Sequence, residues 1–168
     1  MLYIKRNAFT MIELVFVIVV LGILAAVAIP KLAATRTDAE VTKGKSDVSA
    51  IRSAIISERQ TRIIKGDTNF INRLDAGVGS NTDNVTIFDS NETLSATSPK
   101  LLQYGIKTKT NSSGHWVKSA SNQYTYTFGS NSVAFTYYPT DTTVGGVFHP
   151  AGTFDCDHSD SNCNLLTQ

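Results

Sequence analysis

Cysteine, tryptophan and clustered charge are all scarce in this 168-residue chain, and each scarcity removes a class of protein. Two cysteines, Cys156 and Cys163, are too few for a disulfide-dense scaffold or a four-cysteine zinc centre. No Gly-rich phosphate loop occurs, and no pair of acids shares a helix face. His115, His149 and His158 stand in turn-like surroundings without a nucleophile motif, so the sequence points to no enzyme. Cations are also few in the C-terminal part, where Gly66 to Gln168 holds five Lys or Arg against nine Asp or Glu. That excess of acid argues against a nucleic-acid surface, which needs clustered Lys or Arg. Lys100, Lys107, Lys109 and Lys118 are its weak exceptions. Met1 to Lys65 reverses the balance, with ten basic residues against five acidic ones.

What the chain does have is one long apolar run, "NAFTMIELVFVIVVLGILAAVAIP", from Asn7 to Pro30. Phe9 to Ile29 would make about 31 Å of helix, enough to cross a bilayer, and Thr10, Glu13 and Gly22 are its exceptions to apolar or Ala residues. Beyond residue 30 about 138 residues remain, enough for one compact domain and too few for two. A removable signal ending at "AAVA", Ala25 to Ala28, and a plain signal anchor both fit the run by length. Lys5 and Arg6 ahead of it favour a cytoplasmic N-terminus. Neither of those readings has a use for Glu13, which costs roughly 3 kcal/mol inside a span. A chain cut between Ala8 and Phe9 supplies the missing partner: a positive α-amino group one turn before the acid, reinforced by the helix dipole.

A short basic leader, a small residue at the cut, then "FTMIEL" leading into one apolar helix with Gly22 and Pro30, resembles the N-terminus of class III signal proteins, the type IV pilins and type II secretion pseudopilins. The resemblance covers about the first 35 residues. It implies a prepilin peptidase that cuts between Ala8 and Phe9 and methylates the Phe9 amine. It places the family's acid on Glu13 and its helix-breaking proline on Pro30. It implies assembly with identical or related pilin-like subunits on an inner-membrane platform, with a separate ATPase supplying the energy. Ala8 stands where the family usually has Gly, and Met11 where Leu is commoner. The Asp-Pro-Trp-Gly motif of the major pseudopilin is absent, which leaves pilin, pseudopilin and competence subunit open.

Four regions follow: a leader at 1–8, a membrane and assembly helix at 9–30, an amphipathic stem helix at 31–65, and a β head at 66–168. Val41, Val48, Ile51, Ile55 and Ile63 mark the stem face that packs on the head, and Lys43, Lys45, Asp47, Arg52, Glu58 and Arg59 the opposite face. Lys65 and Gly66 signal its end. Gly22 and Pro30 are read either as a tolerated kink or, through the resemblance, as the segment that loosens when subunits leave the bilayer. Assembly residues are therefore Glu13, Gly22 and Pro30.

The fold class expected is α+β, a long N-terminal helix packed on a small antiparallel sheet. Gly66 to Pro99 reads mostly as loop, with a short strand at Val85 to Phe88. Tyr104 to Lys109 and His115 to Lys118 read as a strand pair joined by "TNSSG". The hairpin "QYTYTFGSNSVAFTYY" turns at Gly129 to Ser132, with an aromatic face read as core before ligand platform, and Trp116 as packing. Cys156 and Cys163 suggest one disulfide in an oxidised compartment, with a zinc site shared with His149 and His158 as the alternative. Asp155, Asp157 and Asp160 read either as a solvated acidic loop or as calcium ligands, the latter because major pseudopilins carry calcium in their C-terminal loops; no cofactor is required. The function expected is an inner-membrane, single-pass precursor with a periplasmic head, polymerised into a type II secretion pseudopilus or type IV pilus-like filament. A minor DNA-binding subunit of an uptake apparatus, using Lys107, Lys109 and Lys118, and a signal-anchored periplasmic enzyme are the alternatives.

Overall fold

A computed structural model describes residues 9–89 and 101–168, the side chains of residues 30 and 32–34 excepted. The leader with Ala8, the side chain of Pro30, and Lys100 lie outside the described residues. The chain divides into two compact units, one reaching to Asp38 and the other Ala39–Gln168. Helix α1, Met11–Ile64, supplies the helical residues of the first unit and the first element of the second. Its C-terminus closes as the Lys65-Gly66 pair predicts. Gly66 takes φ of 84°, its N–H donates to Ile63 O at 3.0 Å, and the Asp67 N–H donates to Arg62 O at 2.9 Å. This paired closure satisfies carbonyls that the helix leaves open, and it needs a left-handed residue where glycine carries no Cβ penalty.

In the second unit an antiparallel sheet of four strands is the platform. It runs in the order β3 (His115–Ala120), β4 (Gln123–Phe128), β5 (Asn131–Tyr138), β8 (Thr153–Cys156). The β4–β5 hairpin has the expected alternation, with Tyr124 opposite Phe135 and Tyr126 opposite Val133. Its turn is two residues, Gly129 and Ser130, since pairing already begins at Phe128↔Asn131. Every residue of the predicted aromatic face is buried, with Val48, Ile51 and Ile55 of α1 in the same core. Trp116 lies among Tyr126, Phe135 and Phe88, at 4.9, 5.4 and 5.7 Å between ring centroids. The stripe is therefore core and not a ligand platform.

Buried aromatics with polar tips need acceptors. Tyr126 donates to the Glu40 carbonyl at 2.6 Å, Tyr137 to the Ile71 carbonyl at 2.8 Å, and the Trp116 indole to Asp47 at 2.9 Å. Glycine at position 44 is what lets Tyr126 lie this close to the helix. A Cβ there would meet the Tyr126 ring at 2.5 Å and Leu166 at 2.8 Å. Gly44→Ala is therefore expected to lower stability by about 1 kcal/mol or more in urea unfolding, overpacking of about 1–3 kcal/mol outweighing the gain of up to about 1 kcal/mol in helix propensity.

Four expectations are corrected. The 104–109 segment meets 115–118 at one backbone bond, the Lys109 N–H donating to Trp116 O at 3.2 Å, and forms no continuous ladder with it. Its strand β2 (Ile106–Lys107) pairs with β1 (Thr86–Ile87) in a separate two-stranded sheet. The cause is Thr108, buried and bonded through its hydroxyl to Thr82 O at 2.7 Å and to the Val85 N–H at 3.2 Å, while the "TNSSG" loop is tied to α1 by Lys43 donating to Gly114 O. Ile63 is exposed, because the core of the second unit does not reach the last turn of α1. The stem's polar face is not simply solvated: Lys43, Asp47 and Arg52 bond to the head. Finally, the C-terminal part contains more regular structure than the sequence suggested: β6 (Thr142–Val144), β7 (Val147–His149), β8 and a short helix α2 (Ser161–Thr167).

Candidate functional site

In the first unit, Met11–Ile29 has a mean hydropathy of 3.0 and none of it is buried. Each of these Leu, Ile, Val and Phe side chains would release about 1.5–3 kcal/mol on leaving water. Such a surface fits a bilayer or the apolar faces of other helices. Gly22 has nothing within 4 Å of where a Cβ would sit, so packing inside this chain does not demand glycine there.

At the start of this helix Thr10 is the cap. Its hydroxyl accepts from the Glu13 N–H at 3.3 Å and its carbonyl accepts from the Leu14 N–H at 3.2 Å. Thr10-Met11-Ile12-Glu13 has the Thr-x-x-Glu spacing of a capping box, which puts the Glu13 carboxylate on the first helical turn. There it faces the positive end of the helix dipole. Phe9 is the residue immediately before the cap, and it is exposed. An amine on Phe9 would therefore sit at the same helix end as the acid.

The C-terminal loop is the second predicted site. Cys156 and Cys163 form the disulfide, which removes both thiolates from any zinc site. His149 is stacked on Tyr138 instead. Replacing the pair by serine is expected to cost about 2–3 kcal/mol in urea unfolding, from the entropy of reopening a short loop. The three acids of this loop have separate tasks. Asp155 pairs with Arg52 of α1 at 2.7 Å and with His158 at 3.0 Å. Asp157 accepts from the Ser159 N–H at 2.9 Å, a bond that holds its carboxyl below the ordinary range. Asp160 caps α2, accepting from the Asn162 N–H at 2.9 Å. His158 lies between Asn164 and Asp155, and those two bonds raise its pKa, Asn164 most. Among the described residues the one cluster of metal-type donors is Asp155, His158 and Cys163, and its sulfur belongs to the disulfide.

Sequence reasoning missed a buried charged network. Lys118, read as a weak DNA contact, is buried and donates to Asp75 at 2.9 Å and to Val78 O at 2.9 Å. Asp75 also accepts from the Tyr124 hydroxyl at 2.6 Å and the Gly77 N–H at 2.7 Å. Burial pushes the Asp75 pKa up, and the bonds from Tyr124, Lys118 and Gly77 outweigh it and hold the group below its ordinary value. Burial, then the Asp75 charge, pushes the Tyr124 hydroxyl far up, so it stays a donor. Lys107, by contrast, is exposed and donates to Asn84 O at 3.3 Å.

Residues 4–29 match the family described as the prokaryotic N-terminal methylation motif. The chain is 41% identical over 51 residues to a type II secretion system core protein G of Pseudomonas aeruginosa, covering 30% of this chain and 36% of that protein. It is 43% identical over 49 residues to a fimbrial protein of Pseudomonas aeruginosa, covering 29% of this chain and 32% of that one. The chain thus matches about a third of the length of these curated relatives. No solved structure matches it. The matches support a type IV pilin and pseudopilin family, and the α+β architecture agrees with it.

Proposed function

We propose that this chain is a pilin-like filament subunit: a membrane-anchored precursor, cut between Ala8 and Phe9, methylated on the Phe9 amine and polymerised with copies of itself or related subunits. The observation that carries the proposal is the wholly exposed apolar helix of Met11–Ile29, whose first turn holds a single acid, Glu13, four residues after Phe9. In the precursor a bilayer covers those side chains. In the filament the same faces of neighbouring helices cover them, and each Glu13 finds the Phe9 amine of its own or an adjacent chain, which neutralises both charges and sets the axial register. A prepilin peptidase and an inner-membrane platform belong to this reading, as do a cytoplasmic N-terminus and a periplasmic head. Its home is a type II secretion pseudopilus or a type IV pilus-like fibre.

The reading is tested by shearing cells that carry the assembly system and examining the released fraction. Fibres labelled by an antibody to the head are expected. Chain found only in the membrane fraction under full expression would count against it. The DNA-binding alternative loses support, because Lys118 is buried and ion-paired while the rest of the head is acidic. No cofactor enters this function. EDTA is expected to leave thermal unfolding unchanged within about 1 °C, because mass action gives a shift only where a folded-state ion is removed. A fall of several degrees, reversed by calcium and lost in Asp157→Asn, would establish a calcium site in the loop of Asp155, Asp157 and Asp160.

A further inference from the structure

The outer face of the four-stranded sheet carries a cleft that the core does not use. β6 and β7 form a two-stranded arm of their own, in the register Thr142↔His149, Thr143↔Phe148 and Val144↔Val147. Partners directly opposite in an antiparallel pair share a face, and faces alternate along each strand. Val144, Val147 and His149 therefore look one way and Phe148 the other. The first of these faces looks onto β5. His149 stacks on Tyr138 with 4.2 Å between ring centroids, which holds that end of the arm down. Toward the turn the arm does not close on the sheet. Val144 and Val147 remain 51% and 59% exposed, and a cleft of about 630 Å³ lies between them and Ala134 and Thr136 of β5. That volume falls within the range of about 300–1,000 Å³ that ligand sites occupy.

The walls of the cleft differ in chemistry. Val144, Val147 and Ala134 are apolar, whereas the end of β8 and the loop after it bring Asp155, Asp157, His158 and Ser159. Asp155 is already answered by Arg52 and His158. His158 is committed too. Its Nε2 faces Asp155 at 3.0 Å and its Nδ1 faces Asn164 Oδ1 at 3.1 Å, with the Asn164 amide oriented by its own donation to His158 O at 3.1 Å. Both ring nitrogens are thus turned to acceptors inside the loop. Asp157 differs: it is exposed, its carboxylate accepts from the Ser159 N–H at 2.9 Å, and no lysine or arginine lines the cleft to balance its charge.

Apolar walls beside one unbalanced carboxylate match a guest built the same way, an aliphatic stem that ends in a cation. A purely apolar guest would desolvate Asp157 without compensating it, and an acidic guest would meet a like charge. We propose that this cleft binds a basic side chain of an extended peptide, arginine in preference to lysine, with its stem between Val144, Val147 and Ala134 and its charged end on Asp157. Arginine leads because its planar fork gives a carboxylate two parallel bonds and is more weakly hydrated than an ammonium. The cleft lies within the second unit, so the inference goes beyond the filament-subunit reading without resting on it.

Isothermal calorimetry of the detergent-solubilised full chain, in buffer with EDTA, tests it with the acetylated and amidated peptide Gly-Val-Arg-Val-Gly. One-site binding with a Kd of about 100 µM at low salt is expected, weakening as salt screens the pair. The same peptide with Lys for Arg is expected to bind about threefold more weakly, and the peptides with Leu or Glu there not measurably. Asp157→Asn keeps an acceptor for the Ser159 N–H and loses the charge. It is expected to weaken the arginine peptide about tenfold with urea unfolding unchanged. Ala134→Lys places a cation of the chain itself in the cleft and is expected to abolish binding. Absence of binding up to about 1 mM, equal binding of the Leu peptide, or binding that both variants leave unchanged overturns the proposal. Sedimentation showing that the unmodified chain pairs with itself, and that Ala134→Lys ends the pairing, would give the cleft to a second copy and overturn the proposal as well.

Discussion

Glu13→Ala chains are expected to enter the membrane and be cut at the normal site, yet to give no sheared fibre, a loss of at least about a hundredfold. Insertion should improve, since a carboxylate in a span costs about 3 kcal/mol and alanine removes that cost. Assembly should fail because the substitution leaves the Phe9 amine without its counter-charge among packed apolar helices, and an unpaired buried charge costs about 3–5 kcal/mol. At about 1.4 kcal/mol per decade, that is two to three orders of magnitude per contact. Quantitative immunoblotting of sheared and membrane fractions reads both halves of the expectation. Glu13→Gln separates charge from shape: it can still bond to the Thr10 N–H of the capping box, and it should fail to assemble all the same. Normal fibres from Glu13→Gln would show that the acid acts as a cap and not as a charge.

The second large effect is expected from Lys118→Met in the detergent-solubilised chain. Asp75 is fully buried, and the substitution removes its only cationic partner among the described residues. The Tyr124 and Gly77 donors remain, but the charge is uncompensated, and the expected loss is about 3–5 kcal/mol in urea unfolding at neutral pH. Asp75→Asn with Lys118→Met should cost less than Lys118→Met alone, because the double variant buries no charge. A loss below about 1 kcal/mol would contradict the burial of this pair. The pH dependence has a definite sign. Asp75 has its pKa lowered from 3.8 on folding, so its contribution is complete above that value and is lost as pH falls through the folded value. Unmodified chain should therefore weaken in strong acid, through protonation of Asp75.

The parts of the fold that a single sequence could show are those with a regular period. Val48, Ile51 and Ile55 repeat with the helix, and Tyr124, Tyr126, Phe128, Val133, Phe135 and Tyr137 repeat with the strand, so the stem face and the hairpin core were legible. The start of α1 was placed two residues early, at Phe9, because the apolar run begins there, whereas Thr10 caps a helix that starts at Met11. What escaped was carried by long-range pairing. Lys118 reads as surface, as isolated lysines usually do, and its partner Asp75 lies 43 residues away. Asp155 reads as a ligand among acids, yet its partner is Arg52, 103 residues earlier. β8 is only four residues long, and two of them, Asp155 and Cys156, had already been assigned to the loop chemistry. Thr108 decides the pairing of β2, and a lone threonine gives no periodic signal of burial.

The central claim is that Phe9 becomes an N-terminus whose charge Glu13 meets. Intact-mass and N-terminal peptide mass spectrometry of the chain purified from cells with the assembly system tests it most directly. A mature chain beginning with N-methylated Phe9 is the predicted result. A chain that begins at Met1, or after Ala28, would contradict it.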